Sequence, residues 1–232
     1  EGVRAVIAWL KRRLARDPGQ LGLFEAPAAR DQVVMRAPPP LPEPIVVSIP
    51  NGQFMQNCYL VADPATGAAA MIDPGEESGR IMAEVERRGW TLGAIWLTHA
   101  HIDHILGVGD VVRRTPVPIW LHPLDRPLYD NLSNQAAMFG LHAPPAPPPT
   151  DEIRPGKPLT LGAIQFEVRH VPGHSPGSVA LVGHGRIFGG DVLFSGSVGR
   201  TDLPGGDTAT LLASIEREFL TLPDTTIVHS GH

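Results

Sequence analysis

Cysteine is almost absent. Cys58 is the only one in 232 residues, which excludes an intramolecular disulfide and any thiolate-rich zinc module. Long apolar runs are missing as well: no stretch reaches 18 such residues, so nothing reads as a membrane-spanning helix. There is no lysine or arginine run long enough to track phosphates, and the formal net charge is -5; nucleic acid is a poor first reading. Charged residues make up only 19% against 42% hydrophobic, the balance of an ordinary globular protein. A chain of this size buries roughly 70% of its unfolded surface, so it needs no metal merely to hold its fold. The lone cysteine fits a reducing compartment, and a cytoplasmic address is the expectation.

What is present is unevenly distributed. Residues 1–17 carry Arg4, Lys11, Arg12, Arg13 and Arg16 against Glu1 and Asp17. Val3, Val6, Ile7, Leu10 and Leu14 fall on one face of a short helix ending before Asp17-Pro18-Gly19. Such a basic amphipathic helix either lies on an anionic membrane surface or docks on its own domain, the more frequent outcome. Pro27, Pro38, Pro39, Pro40, Pro42 and Pro44 follow in a linker-like stretch. The expected organisation is therefore an N-terminal amphipathic helix and Pro-rich linker over 1–44, then one domain over 45–232.

Within that domain strands and helices alternate. Ile45–Ile49, Cys58–Ala62 and Ala68–Ile72 read as successive strands, a hairpin-rich start. Glu76–Arg88 has helical periodicity and stops at Gly89, and Ala94–Leu97 reads as a buried strand. A helix is expected over Ile102–Arg114, a strand over Val117–Leu121 and a short helix over Pro123–Asn131. Residues 143–149 form a proline-alanine loop. Leu159–Leu161, Ile164–Val171, Ser178–Val182 and Arg186–Phe188 read as strands, Asp207–Leu220 as the last helix and Thr226–Val228 as the closing strand.

The chemistry concentrates in Thr98-His99-Ala100-His101-Ile102-Asp103-His104, where an apolar strand gives way to a helix. In an extended segment residues two apart project to one side, so His99, His101 and Asp103 converge while His104 turns off as the helix begins. That arrangement can serve two ions. Unliganded, these polar groups at the end of a buried strand would be desolvated without compensation. Imidazole and carboxylate without thiolate suit zinc, iron or manganese and leave the metal open. Two ions need further ligands, and three candidates follow, each at the end of a strand: His174 in Pro172-Gly173-His174-Ser175-Pro176-Gly177, Asp191 after Phe188-Gly189-Gly190, and His232 after Ser230-Gly231.

With these seven residues in this order, the sequence resembles the metallo-β-lactamase superfamily, whose signature is HxHxDH followed by separate His, Asp and His. The resemblance runs from about Ile45 to the end. It implies an α/β four-layer αβ/βα sandwich with the site between the two sheets at their strand ends. It also implies that His99, His101 and His174 hold one metal, that Asp103, His104 and His232 hold the other, and that Asp191 bridges them.

Gln56-Asn57-Cys58-Tyr59, Ile72-Asp73-Pro74-Gly75, Met138-Phe139-Gly140-Leu141, the loop around His174 and Gly199-Arg200-Thr201-Asp202-Leu203-Pro204-Gly205-Gly206-Asp207 are similar to short bacterial glyoxalase II-like thioester hydrolases. The leading expectation is thus a metal-dependent hydrolase cleaving a glutathione thioester such as S-D-lactoylglutathione. The cofactor would be two divalent ions, zinc before iron or manganese, which share a water whose pKa falls from 15.7 to about 7. Asp103 would orient that nucleophile as the catalytic residue as well as bind metal. Some of the same stretches resemble persulfide dioxygenases, in which one iron would use His99 and His101, or His99 and His174, with Asp191. Lactam or lactone hydrolysis is the third reading.

The partner is a small-molecule substrate, with no nucleic acid and no membrane span; oligomeric state is not encoded legibly. Asp73 is placed to support a ligand histidine from behind, and Arg200 braces either Asp202 or the region of the bridging aspartate. Ser175 reads as a turn residue and Cys58 as a small buried hydrophobe. His122, His142, His170, His184 and His229 fall outside the seven-residue pattern and read as surface or structural. The helical C-terminal region of full-length glyoxalase II has no counterpart in this sequence. The family pattern continues past Gly231-His232, so the resemblance implies a longer natural chain.

Overall fold

Strand β2 (Gln56–Ala62) shows how period-two alternation sorts side chains to opposite faces: Cys58 and Leu60 pack into one core, Tyr59 and Val61 into another. A computed structural model describes residues 42–232. The expected N-terminal helix and nearly all of the proline-rich linker lie outside the described residues.

β1 (Ile45–Asn51), β2 and β3 (Ala68–Ile72) pair antiparallel, as the hairpin-rich reading requires. β4 (Thr91–Trp96), β5 (Ile119–Leu121) and β6 (Asp151–Glu152) then extend the sheet in parallel, giving the order β1-β2-β3-β4-β5-β6. Parallel neighbours need crossovers. These are supplied by α1 (Ser78–Arg87), then α2 (Ile102–Ile105) with α3 (Val108–Arg114), then α4 (Arg126–Asp130) with α5 (Leu132–Met138).

The second half builds β7 (Leu159–Leu161), β8 (Ile164–His170), β9 (Val179–Gly183) and β10 (Arg186–Gly190). A small hairpin, β11 (Leu193–Phe194) and β12 (Ser197–Val198), helix α6 (Thr208–Ser214) and β13 (Ile227–Ser230) follow. The second sheet has the order β13-β10-β9-β8-β7, with β10 and β13 parallel and its other pairs antiparallel.

Three separate apolar cores follow from this and define four layers. Ile81, Met82 and Val85, on one face of α1, meet Leu60, Ile95 and Leu97 of the first sheet. Ala94 and Trp96 meet Phe166, Val168 and Leu181 between the sheets. Ala180 and Ile187 pack outward on Leu211, Ile215 and Phe219, the last two carried by a wide π turn that prolongs α6. Cys58 is fully buried; burial pushes its thiol up, and the Asp73 carboxylate adds to the rise.

Some boundaries differ from expectation. The single helix over Ile102–Arg114 is broken at Leu106-Gly107, because Gly107 passes against the 74–75 turn, its N–H donating to Pro74 O at 3.0 Å; a Cβ on Gly107 would collide with the Gly75 carbonyl. Helix α5 and the short strand β6 carry too little periodicity to be expected. The closing strand runs two residues further, to Ser230.

The ends of β3, β4, β8, β10 and β13 open toward one edge of the sandwich, and the candidate site lies there. Phe166, fully buried between the sheets, stands edge-on to Trp96 and Phe188 at centroid distances of 6.2 and 5.6 Å. Phe166→Ala is expected to cost about 3–5 kcal/mol, measured by urea denaturation.

Candidate metal centre

Five of the seven motif residues sit just past a strand, and the other two open a helix. His99 and His101 follow β4, with His101 the extended residue preceding α2; Asp103 and His104 occupy the first turn of that helix. His174 follows β8 in a loop that demands glycine: Gly173 has φ +128°, and a Cβ there would run into the Leu211 backbone. Asp191 follows β10 and His232 follows β13. Between them Gly231 passes so close that a Cβ would strike the Asp191 carboxylate.

All seven side chains converge. His101 Nδ1 lies 2.8 Å from His174 Nε2, which is 3.2 Å from His99 Nε2. Beside them His232 Nε2 is 3.0 Å and His104 Nε2 3.7 Å from Asp103 Oδ2. Asp191 reaches both groups: Oδ1 is 3.3 Å from His104 Nε2, and Oδ2 is 3.6 Å from His174 Nε2 and 3.5 Å from His232 Nε2. Two ligand clusters thus stand side by side, His99-His101-His174 and Asp103-His104-His232, with one carboxylate between them.

What lies behind the rings sets their direction. The Asp73 carboxylate, at the end of β3, takes the Thr98 N–H at 2.7 Å, the Thr98 hydroxyl at 2.6 Å and His104 Nδ1 at 2.9 Å. Its backbone is left-handed, φ +53°, a conformation that costs an L-residue free energy and persists where surroundings enforce it. Since the Thr98 hydroxyl donates to Asp73, its oxygen is free to accept from His99 Nδ1 at 3.1 Å. His174 Nδ1 donates to the Arg200 carbonyl at 2.8 Å and His232 Nδ1 to the Phe54 carbonyl at 3.1 Å. These partners set the tautomers of four rings, which turn Nε2 inward; His101 turns Nδ1 toward the same cluster, and its Nε2 is buried without a partner.

Lone pairs facing each other without a proton between them call for a cation. His104 Nε2 and Asp191 Oδ1 are moreover buried with no hydrogen-bond partner, a costly state unless something fills the gap. The donor set, five imidazoles and two carboxylates, fits divalent ions.

The electrostatics agree. Burial, then the neighbouring imidazoles of His174 and His104, push His101 down to about 3, and His99 is held well below the ordinary histidine value in the same way. Both are neutral donors at neutral pH. Burial also works against charge on His104, but Asp191, Asp103 and Asp73 outweigh it and pull its pKa up. The carboxylates demand positive charge at this spot.

Two residues that the motif pattern does not include hold the loops. Asp125, fully buried just before α4, accepts from Ala100 N at 2.9 Å, Ser175 Oγ at 2.7 Å and Gly177 N at 2.5 Å. It ties the His99-His101 segment to the His174 loop, while burial pushes its carboxyl up against the pull of those donors. Gln135 on α5 accepts from Ile102 N at 3.1 Å and donates to the Ala100 carbonyl at 3.0 Å. A sequence signal was available only for Asp125, a carboxylate opening a helical turn, and it reads as an ordinary cap. The Arg200 guanidinium pairs with Asp202, two contacts of 2.7 Å, while its carbonyl serves His174. His122 stacks on His170 at 4.6 Å and His229 on Phe188 at 4.6 Å, outside both clusters.

The sequence profile described as the Metallo-beta-lactamase superfamily matches residues 51–232. The chain belongs to that superfamily. That membership supports a metal-dependent hydrolase, and the histidine-aspartate clusters accord with the divalent metals the superfamily binds. Among relatives, hydroxyacylglutathione hydrolase GloC of Haemophilus influenzae is 38% identical over 194 residues, 79% of this chain and 88% of its own. Among solved structures, the BLEG-1 B3 metallo-beta-lactamase matches with TM-score 0.76 at 39% identity, covering 81% of this chain and 91% of that one. The di-iron-bound form of TTHA1623 gives 0.74 at 41%, covering 80% and 91%. Among the described residues no helix is long and apolar enough to cross a membrane.

Asp125→Ala would strand the Ala100 and Gly177 N–H groups and the Ser175 hydroxyl in the interior. A loss of about 3 kcal/mol is expected, read as a shift of the denaturation midpoint; Ser175→Ala should cost about 1 kcal/mol.

Proposed function

We propose that this superfamily hydrolase cleaves a thioester of glutathione, with two divalent ions held by His99, His101 and His174 on one side, by Asp103, His104 and His232 on the other, and shared by Asp191. The observation that carries the dinuclear reading is the reach of Asp191 to both clusters. The thioester is supported by the similarity to a hydroxyacylglutathione hydrolase and by the stretches around Asp73, Phe139, His174 and Arg200.

Bound divalent ions supply a nucleophile at neutral pH and a Lewis acid for the carbonyl oxygen. The chain supplies the rest. Asp103 lines the cavity; burial pushes its carboxyl up, but His104 and His232 outweigh this and hold it below the usual carboxylate range. It therefore stays ionised, accepts a hydrogen bond from the attacking water and turns the water's lone pair toward the carbonyl carbon. Asp73, Thr98 and the Arg200 and Phe54 carbonyls keep the imidazoles from rotating. No serine or cysteine nucleophile is needed: Ser175 is buried against Asp125 and Cys58 is sealed in the core.

Metal analysis and a thioester assay on one sample test this. About two ions per chain, zinc before iron, are expected together with turnover of S-D-lactoylglutathione exceeding that of nitrocefin. One iron per chain with oxygen uptake on glutathione persulfide would overturn the hydrolase reading in favour of persulfide oxidation; faster lactam turnover would overturn the thioester.

Asp73→Asn keeps the shape but weakens the acceptor behind His104. Metal affinity is expected to fall about 10- to 100-fold, measured by competition with a chromogenic chelator.

A further inference from the structure

Single exposed apolar side chains are ordinary, whereas several gathered at one place mark a binding surface. Among the described residues the exposed large hydrophobics include Phe139 and Val198, which line the cavity over the metal centre, and Met55 and Met138, next in the chain to the lining residues Phe54 and Phe139. The cavity is about 360 Å³, within the range of small-molecule sites.

Its apolar wall comes from segments far apart in sequence: Phe54 from the β1–β2 loop, Ile102 from α2, Phe139 after α5, Phe194 and Val198 from the β11–β12 hairpin, and Leu203. Phe54 and Phe139 meet edge-on, ring centroids 5.2 Å apart and planes at 83°, which ties the two lips together. Phe194 stands edge-on to His232 at 6.0 Å, so the wall begins at the metal ligands. Arg200 also faces the cavity, but both nitrogens it directs at Asp202 are engaged there.

A three-carbon hydroxyacyl group has little hydrocarbon to place on such a wall. We infer that the acyl arm of the substrate is apolar, a straight chain of about six carbons or an aromatic group, lying on Phe54, Phe139 and Val198. The inference rests on the thioesterase reading for the reacting bond, and on the wall alone for the arm. Burial of each added methylene then favours the longer acyl group, and Phe139 and Val198 are specificity-determining residues whose partial exposure keeps their truncation from disturbing the core.

Two measurements separate the arm from the reaction. In calorimetric titration, S-hexylglutathione is expected to bind at least about tenfold tighter than S-methylglutathione, with a more negative heat-capacity change. The double variant Phe139→Ala/Val198→Ala should cut that preference at least about threefold. In turnover, kcat/KM for S-hexanoylglutathione should exceed that for S-D-lactoylglutathione by about tenfold or more. Equal affinities of the two thioethers, lactoyl turnover at or above hexanoyl turnover, or a preference undiminished in the double variant would overturn the inference. Tighter hexyl binding without cleavage of any thioester would support the apolar arm and overturn the thioesterase reading instead.

Discussion

Every imidazole can present a lone pair or a proton at each ring nitrogen, and the centre depends on that choice being made in advance. For His99, His104, His174 and His232 it is made from behind, by a hydroxyl, a carboxylate and two backbone carbonyls. Asp73 is the hub of this arrangement. One carboxylate fixes the Thr98 backbone, the Thr98 hydroxyl and His104, and through that hydroxyl it also settles His99. The positive φ at Asp73 is the conformational cost of aiming it.

The sheets explain why such precision is available. Both present the ends of parallel strands at the same edge, and strands packed on two faces move little. Loops leaving that edge bear glycine where the backbone must pass close to another segment: a second backbone at Gly173, ligand side chains at Gly231. Asp125 then fastens two of the loops to one another, and Gln135 fastens the segment around Ala100 to helix α5.

Much of this was legible in the sequence, and the reason is physical. Ligands clustered at strand ends leave a local signature, four donors within six residues, and the period-two strands announce themselves through the apolar residues they must bury. The break at Leu106-Gly107 was not legible, because it is imposed by the approach of a distant turn at Pro74-Gly75. Helix α5 was hidden because Leu132 and Ala136 alone offer too short an apolar stripe. The role of Asp125 was invisible for a related reason: its partners lie 25 to 52 positions away, and nothing adjacent in the chain distinguishes it from a cap. The apolar wall likewise draws one or two residues from each of five segments, each unremarkable where it stands.

The parallel pairing of β10 with β13 makes the two ligand clusters unequal in what they require of the chain. His99, His101 and His174 all precede β10, whereas His232 follows β13, which lies beside β10 and whose end is stitched to the first sheet by the Asn57 N–H and the Tyr59 hydroxyl. All residues of the three-histidine cluster therefore lie before β10 in the chain, while the other cluster depends on the last strand. The two clusters thus differ in how far along the chain each draws its ligands, an asymmetry that originates in chain connectivity rather than in ligand chemistry.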